Sequence, residues 1–500
     1  MTSWTAKEQS DAHHEVIVAL DIGTSATKAV AFTRSGVQVA LARANNTLDH
    51  PQPDYAIQDP RALLATVELV LREIGDQIAK AGFRFAHLSL SATMHGLLVF
   101  GSDGQPLISL MTWADGRASE EADTLRRSFG HRLYRATAVP THAMTPFAKL
   151  LWLCKHEPEV WQRAVHVGSF KEWLLWQWTG QWVVDEATAA ATGLFNVQTR
   201  DWDDEWLAYA QVQRSHLSTC LPATAQLAVI DSPLAQRCGF GPGLVITIGS
   251  TDGVLANLGT VGLDPRLLAV TAGTSAAVRQ TVASPLLDPS ARTFCYPLVG
   301  DYWVAGGATN AGAMVLTQVA KWLAVKDVVE LLALAQEAPP GSAGALFAPW
   351  LAGERAPMYD ARARGGFIGL SMEHDRRHLA RAAVEGVALS LRSIAQALQT
   401  DTLTHMVTSG GLAQSPFWRQ VLADVFRLPV RAAKEEEASC LGAFLLATRV
   451  TNEDNWPALE TLMASNKTSD EVLPDPLRSQ VYDERYETFQ TLYRRLHDPV

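Results

Sequence analysis

The sequence predicts an α/β protein built from two related halves, and three observations carry that prediction. An apolar strand, Val16–Leu20, runs through the polar turn Asp21-Ile22-Gly23-Thr24-Ser25-Ala26-Thr27-Lys28 into a second apolar run, Ala29–Phe32. The same order returns at Leu267–Val270, followed by Thr271-Ala272-Gly273-Thr274-Ser275-Ala276-Ala277-Val278. Gly23-Thr24-Ser25-Ala26 and Gly273-Thr274-Ser275-Ala276 lie 250 residues apart (273 minus 23) in a chain of 500. That spacing indicates two related domains rather than a solenoid. Between and after the repeats, strands and helices alternate, as in sheets covered on both faces.

The elements follow in order. Met1–Glu15 is polar and lacks the apolar core of a signal peptide, so His13 and His14 read as a solvated tail. Arg61–Ala81 has helical period, Phe85–Leu90 and Leu97–Phe100 read as strands, and Thr145–His156 and Phe170–Thr179 as helices. Leu244–Ile248 is a buried strand ahead of a helix over Gly253–Leu258. The domain boundary belongs within 255–262, giving domains 1–258 and 259–500. Val315–Ala335 is the most apolar stretch. Lys321, Lys326, Asp327 and Glu330 interrupt it at helical spacing, so it reads as one amphipathic helix rather than a membrane span. Leu379–Gln399 is a long helix, His405–Thr408 a short strand, and Gln480–His497 a last helix in a more polar tail.

Composition excludes several classes of function. Hydrophobic residues make up 47% and charged ones 19%, as in ordinary globular proteins and unlike disordered ones. The net charge of −10 and the lack of a long basic run speak against nucleic acid or an anionic membrane as partner. Five scattered cysteines without a CxxC pair support neither a disulfide framework nor a zinc module. They read as reduced, mostly buried thiols of a cytoplasmic protein.

Glycine lets backbone N–H groups approach an anion, and the adjacent hydroxyls add donors. Two such turns, each after a strand, read as two grips on the phosphates of one nucleotide. Asp21 beside the first turn would repel phosphate unless Mg²⁺ lay between them. No P-loop, dinucleotide fingerprint, metalloprotease helix or nucleophile elbow is present. Asp252, in Gly249-Ser250-Thr251-Asp252-Gly253, lies just past a strand end, where ligands of open α/β sheets collect. The residues alone leave two roles open for it: general base toward a substrate hydroxyl, or cap of the following helix. Ser409-Gly410-Gly411-Leu412-Ala413-Gln414-Ser415-Pro416 is a third glycine turn, suited to close passage of a flat base or sugar. Met94-His95-Gly96 and Thr112-Trp113-Ala114-Asp115-Gly116-Arg117 combine an aromatic face, a carboxylate and a guanidinium, as in a hydroxyl-binding wall. A local Asp115–Arg117 ion pair over a core Trp113 is the competing reading.

Together these residues resemble the FGGY carbohydrate kinases of the actin-like ATPase superfamily. The resemblance runs from about Val16 to Ala447. It includes Met144-Thr145-Pro146-Phe147-Ala148-Lys149-Leu150-Leu151-Trp152-Leu153, Leu351-Ala352-Gly353-Glu354-Arg355-Ala356-Pro357, and Gly365-Gly366-Phe367-Ile368-Gly369-Leu370 with the later His378–Glu385. It implies an α/β fold of two actin-like (ribonuclease H-like) domains with ATP and sugar in a cleft between them. It assigns Asp21, Gly23, Thr24, Ser25 and Lys28 to the first phosphate loop, with Asp21 at Mg²⁺, and Gly273 and Thr274 to the second. Asn310 joins the nucleotide set, as do Gly410, Gly411 and Ser415 at the adenosine turn. Ser415 stands where many relatives have asparagine. Asp252 matches the family's catalytic base, and His95, Trp113, Asp115 and Arg117 its substrate wall.

Several segments are most similar to the gluconate kinases of the family: Thr112–Arg117, Pro140–Pro146, Ser169–Glu172, Ala191–Asn196 and Arg292–Tyr296. The resemblance therefore implies an ATP-dependent transfer to gluconate, with Lys171 or Arg117 meeting the sugar-acid carboxylate. A pentulose kinase such as xylulose kinase is the alternative within the family. Outside it stand a non-catalytic sugar sensor and an actin-like ATPase. Sugar and ATP are the expected partners, without nucleic acid or membrane, and the resemblance leaves room for a homodimer.

Overall fold

A computed structural model of the chain describes residues 14–241, 243–398, 401–434, 437–451 and 467–497. His13 and the rest of the first thirteen residues, and part of the tail after Thr451, lie outside the described residues. Of those described, residues 14–259, 296–303 and 437–451 cluster as one compact unit. Residues 260–295, 304–434 and 467–497 form the other.

In the first unit the strands β1 (Glu15–Ile22), β2 (Ala26–Thr33), β3 (Gln38–Asn45), β4 (Arg84–Ala92), β5 (Gln226–Ala228) and β6 (Val245–Thr251) form one sheet in the order β5-β6-β4-β1-β2-β3. Neighbours β1, β4 and β6 run parallel, while β2, β3 and β5 are antiparallel to their partners. Alternate residues serve the two faces. Val16, Val18, Leu20, Leu88 and Leu90 join the core under helix Pro60–Lys80, whose Leu63, Val67, Val70, Leu71, Ile74 and Ile78 recur at helical spacing. Asp59 caps that helix and Pro60 opens it. On the opposite face Ser89 donates to the Ala443 carbonyl at 2.7 Å, and Phe32 meets Phe444 with ring centroids 4.9 Å apart, so helix Ala438–Thr451 covers this side.

In the second unit β7 (Leu267–Ala272), β8 (Ala276–Val282), β9 (Phe294–Val299), β10 (Tyr302–Thr309), β11 (His405–Ser409), β12 (Val430–Ala433) and β13 (Lys467–Val472) are ordered β9-β10-β8-β7-β11-β12-β13. Strands β7, β11 and β12 are parallel, and β8 and β13 oppose their partners. From the third strand to the edge this repeats the first unit, so the two Gly-Thr-Ser turns close equivalent hairpins. Their registers differ by one residue: Ile22 faces Thr27, whereas Ala272 faces Ala276. The far ends of β9 and β10, Tyr296–Trp303, cluster with the first unit.

One helix expectation fails. Val315–Ala335 is two helices, Ala313–Trp322 and Val328–Gln336. Ala324 takes a left-handed φ of 53° between them, and Asp327 caps the second by accepting from the Glu330 N–H. The charges taken for a polar face are partly the punctuation of a break. Leu379–Gln399 is observed as Arg376–Gln396, started earlier by the Asp375 cap, and Gln399 lies outside the described residues. None of the five cysteines is in a disulfide; Cys238, Cys295 and Cys440 are buried, while Cys154 and Cys220 are half-buried. Burial pushes the Cys295 thiol up to about 12.

Gly249 decides how β6 ends. The β4–β6 register slips between Thr247 and Ser250, and Gly249 at φ 67° occupies that bulge. A Cβ there would lie 1.7 Å from the Leu90 carbonyl oxygen. Gly249→Ala should therefore lower the unfolding free energy by about 2–4 kcal/mol, through left-handed strain plus forced separation of the strands. Urea denaturation checks this; an unchanged midpoint would mean that the bulge relaxes at no cost.

Candidate functional site

Because β1, β4 and β6 are parallel, their carboxyl ends finish side by side. Asp21 faces Ser91, and Ser91 faces Ser250. Asp252 follows at the start of helix Asp252–Val261, half-buried, and its Oδ1 accepts from the Gly253 N–H at 2.7 Å. That bond is to the adjacent N–H, one residue on, whereas a cap side chain serves the second or third N–H of its helix. Asp21 accepts from the Ser91 hydroxyl at 2.6 Å and the Ser439 hydroxyl at 2.8 Å. Burial pushes its carboxyl above the usual aspartate range, and the two hydroxyls and the Lys28 charge pull the other way. Lys28, opposite Asp21 in the hairpin, pairs with Glu437 at 2.5 Å.

The first glycine turn is pinned from several directions. Gly23 donates its N–H to the Ala26 carbonyl at 3.0 Å, and Asn46 donates to the Gly23 carbonyl at 2.7 Å. Gln58 donates to the Thr24 carbonyl at 3.0 Å. The Thr24 hydroxyl accepts from the Trp113 indole N–H at 2.9 Å, so this turn and the aromatic wall are joined directly. The Ser25 side chain is exposed.

Trp113, Thr24, Gln58, Met94, Gly96 and Lys171 line one pocket of the first unit. His95 stands beside it with a left-handed φ of 65°. Its ring shares hydrogen bonds with the Ala191 carbonyl at 2.8 Å and the Tyr296 hydroxyl at 3.4 Å. Arg117 clamps Asp115 with two bonds of 2.7 Å, and its guanidinium lies 3.5 Å from the centre of the Tyr55 ring. It lines a separate pocket with Tyr55 and Trp152. The Asp115–Arg117 pair therefore exists, but it sits on Tyr55 rather than on Trp113. Lys171 is 1% exposed, not solvated, and pairs with the buried Asp185, which also accepts from Thr188 and Ser250.

In the second unit Gly273 donates its N–H to the Ser275 carbonyl at 3.0 Å, and Thr274 is exposed. Gly410, at φ 86°, packs on this turn: a Cβ there would lie 2.6 Å from the Ala272 carbonyl oxygen. Gly411 follows in the open, and the Ser415 hydroxyl caps helix Pro416–Phe426. Asn310 is held by its side chain, donating toward the Ala352 and Gly353 carbonyls and accepting from Arg355 at 3.0 Å. Just beyond it, Ala313 and Met314 donate to the Gly273 and Thr274 carbonyls. Asn310 thus belongs to the loop supporting the second turn.

The chain matches the N-terminal domain of the FGGY family of carbohydrate kinases over residues 16–259 and the C-terminal domain over 268–450. It belongs to the FGGY family of carbohydrate kinases. It is 34% identical to the gluconokinase of Bacillus subtilis (strain 168) over 465 residues, 90% of each chain. Among solved structures it is similar to a gluconate kinase from Lactobacillus acidophilus, with a TM-score of 0.91 and 31% identity over 96% of this chain and 98% of that one. It is equally similar to a ligand-bound xylulose kinase from Lactobacillus acidophilus, with a TM-score of 0.92 and 31% identity over 97% and 99%. The fold is accordingly that of the FGGY kinases, with two actin-like domains.

Several residues that shape this FGGY site escape a reading by motif. Gln58, Asn46 and Ser439 reach the first turn from distant segments. Asp185 neutralises Lys171, and Tyr296 reaches His95 from β9. Glu354 lies in a stretch that carries the resemblance. Buried, it accepts from the Thr309 hydroxyl and from the Asn310 and Arg355 N–H groups, so it fixes the loop under the second turn.

Burial pushes the Glu354 carboxyl up to about 7 from 4.5. The folded protein then holds this proton more tightly than the unfolded chain. The resulting stabilisation is complete below pH 4.5 and is lost as pH rises through 7. Glu354→Gln removes the titration. Relative to the variant, wild type should be more stable at pH 5 than at pH 7.5, as read by paired urea titrations; a pH-independent difference would contradict the assignment.

Proposed function

We propose that this chain transfers the γ-phosphoryl group of ATP to the primary hydroxyl of gluconate, giving 6-phosphogluconate and ADP. The observation that carries the reading is near-complete coverage by a gluconokinase at 34% identity, together with a lysine, Lys171, in the pocket beside Trp113. Sugar recognition falls to the N-terminal domain, 1–258, and adenosine recognition to 259–500, in a cytoplasmic enzyme. Among the described residues, no helix is long and apolar enough to cross a membrane.

Asp252 takes the proton of the attacking hydroxyl. The new O–P bond forms as the bond from the γ-phosphorus to the bridging oxygen breaks, and ADP leaves with the electron pair. The glycine turns at 23–25 and 273–274 hold the phosphate chain, with Gly410, Gly411 and Ser415 at the adenosine. Mg²⁺ on a nucleotide needs only one or two protein carboxylates beside phosphate oxygens and water. Asp21 fits: each of its oxygens accepts one hydroxyl hydrogen bond and keeps further acceptor capacity. The ion would supply charge neutralisation on the phosphates.

A second reading, a neutral pentulose as substrate, draws support from the equal likeness to a xylulose kinase and from the pairing of Lys171 with Asp185, which cancels its charge. A coupled ADP-release assay over gluconate, D-xylulose and neutral polyols separates the two. Gluconate should stimulate most; ATP turnover that no sugar stimulates would overturn the kinase reading.

Asp252→Asn should keep sugar and ATP binding while turnover falls on the order of 10²–10⁴-fold. More than about a third of wild-type turnover would remove Asp252 from the role of base. For the carboxylate, Lys171→Met should lower kcat/KM for gluconate about 10- to 150-fold and that for a neutral sugar far less. The comparison is made within one folded variant, because unpairing buried Asp185 also lowers stability. Arg117, which lines the other pocket, should show no such selectivity as Arg117→Met; the reverse outcome would move the carboxylate to Arg117.

A further inference from the structure

Lys149 is 0% exposed and lies in the first turns of helix Pro146–His156, among apolar side chains. It is absent from the lining of the described pockets that hold Trp113, His95 and Arg117. Its ammonium donates to three backbone carbonyls: His95 at 2.7 Å, Thr112 at 2.6 Å and Met111 at 3.3 Å. These oxygens belong to two separate turns. One carries Met94, His95 and Gly96, and the other Thr112 and Trp113, and both turns line the sugar-side pockets.

Three features make this more than a buried cation finding partners. Burying an ammonium is costly, and among the described residues no carboxylate forms an ion pair with it to offset that cost. Burial pulls Lys149 down to about 7, with Asp115 raising it and Arg117 opposing. Second, His95 is held at a left-handed φ that residues with a Cβ adopt only at a cost, and the Lys149 bond falls on the carbonyl of that residue. Third, an ammonium has three donors directed from one point, which matches three converging carbonyls.

We propose that Lys149 is a positioning residue that fixes the His95 turn against the Thr112–Trp113 turn and thereby sets the sugar affinity of the enzyme without touching the sugar. The inference rests on the reading of this pocket as the sugar site. It does not depend on which sugar is bound.

Two variants test it. Lys149→Met keeps length and apolar bulk but removes all three donors. Lys149→Arg keeps the charge, but its planar fork cannot direct three N–H groups to one focus in the same way. The probe is gluconate, or D-xylulose if wild type prefers it. The readouts are KM for sugar and for ATP, sugar Kd by equilibrium dialysis without ATP, and melting temperature. Lys149→Met should raise sugar KM and Kd about 10- to 100-fold, while the KM for ATP changes less than about threefold. Lys149→Arg should move the same way by a smaller factor, and it carries the test alone if Lys149→Met does not fold. A folded variant with a lower melting temperature but unchanged sugar Kd would reduce Lys149 to a structural role and overturn the proposal, as would an equal rise in both KM values. Wild type that turns over no sugar would fail the kinase reading, whereas the dialysis arm would still decide the role of Lys149.

Discussion

The arrangement of the first unit depends on three parallel strands finishing at one level. A parallel neighbour places chain ends together, so residues far apart in sequence share one edge. With β1, β4 and β6 in this relation, Asp21, Ser91 and Ser250 fall opposite one another, and Asp252 needs only two further residues to reach the same edge. The Gly249 bulge sets where β6 stops and its helix begins. It sits against the Leu90 backbone, where no side chain fits. The position of the proposed base is thus set by backbone contact rather than by anything Asp252 does itself.

The glycine turns extend the same logic. Gly23 and Gly273 each spend their own N–H inside the turn, on Ala26 and Ser275 respectively. The shape of each loop is therefore preset, and the phosphates proposed to bind there would have little ordering entropy to overcome. Support comes from outside the motif in both units. Asn46, Gln58 and Trp113 hold the first turn; the loop after Asn310, itself fixed by Glu354 and Arg355, holds the second. Trp113 is the informative case, because it lines the pocket proposed for the sugar while its N–H ends on Thr24 of the first glycine turn.

What could be read from the sequence follows from how local its causes are. Strand, turn and strand at both repeats are dictated by neighbouring residues, and so is the Ser169 cap that starts helix Phe170–Thr179. The break near Ala324 was also local in cause, but hydropathy averaged over Val315–Ala335 conceals a left-handed residue followed by a capping aspartate. Asp185, Glu354 and Tyr296 are a different matter. Their roles come from partners brought up by tertiary folding, for which a single sequence carries no pairing signal. Lys149 stood in between. A lysine within an apolar helical run is an anomaly visible in the sequence, but its three acceptors are not.

Four cations of the first unit show how it manages charge. Arg117 is bound to Asp115, Lys28 to Glu437 and Lys171 to Asp185, while Lys149 is spread over carbonyl dipoles. The Asp185 carboxylate offsets the cost of burying the Lys171 ammonium, at the expense of the field that ammonium presents to a ligand. Asp185 is itself anchored by Thr188 and by Ser250, the residue facing Ser91 in the row of strand ends. One hydrogen-bonded chain therefore runs from the pocket lysine to the strand that leads into Asp252. The proposed preference for an acidic sugar then rests on where the N–H groups of Lys171 point, not on excess positive charge, and discrimination should be strong for a correctly placed carboxylate and weak for a displaced one.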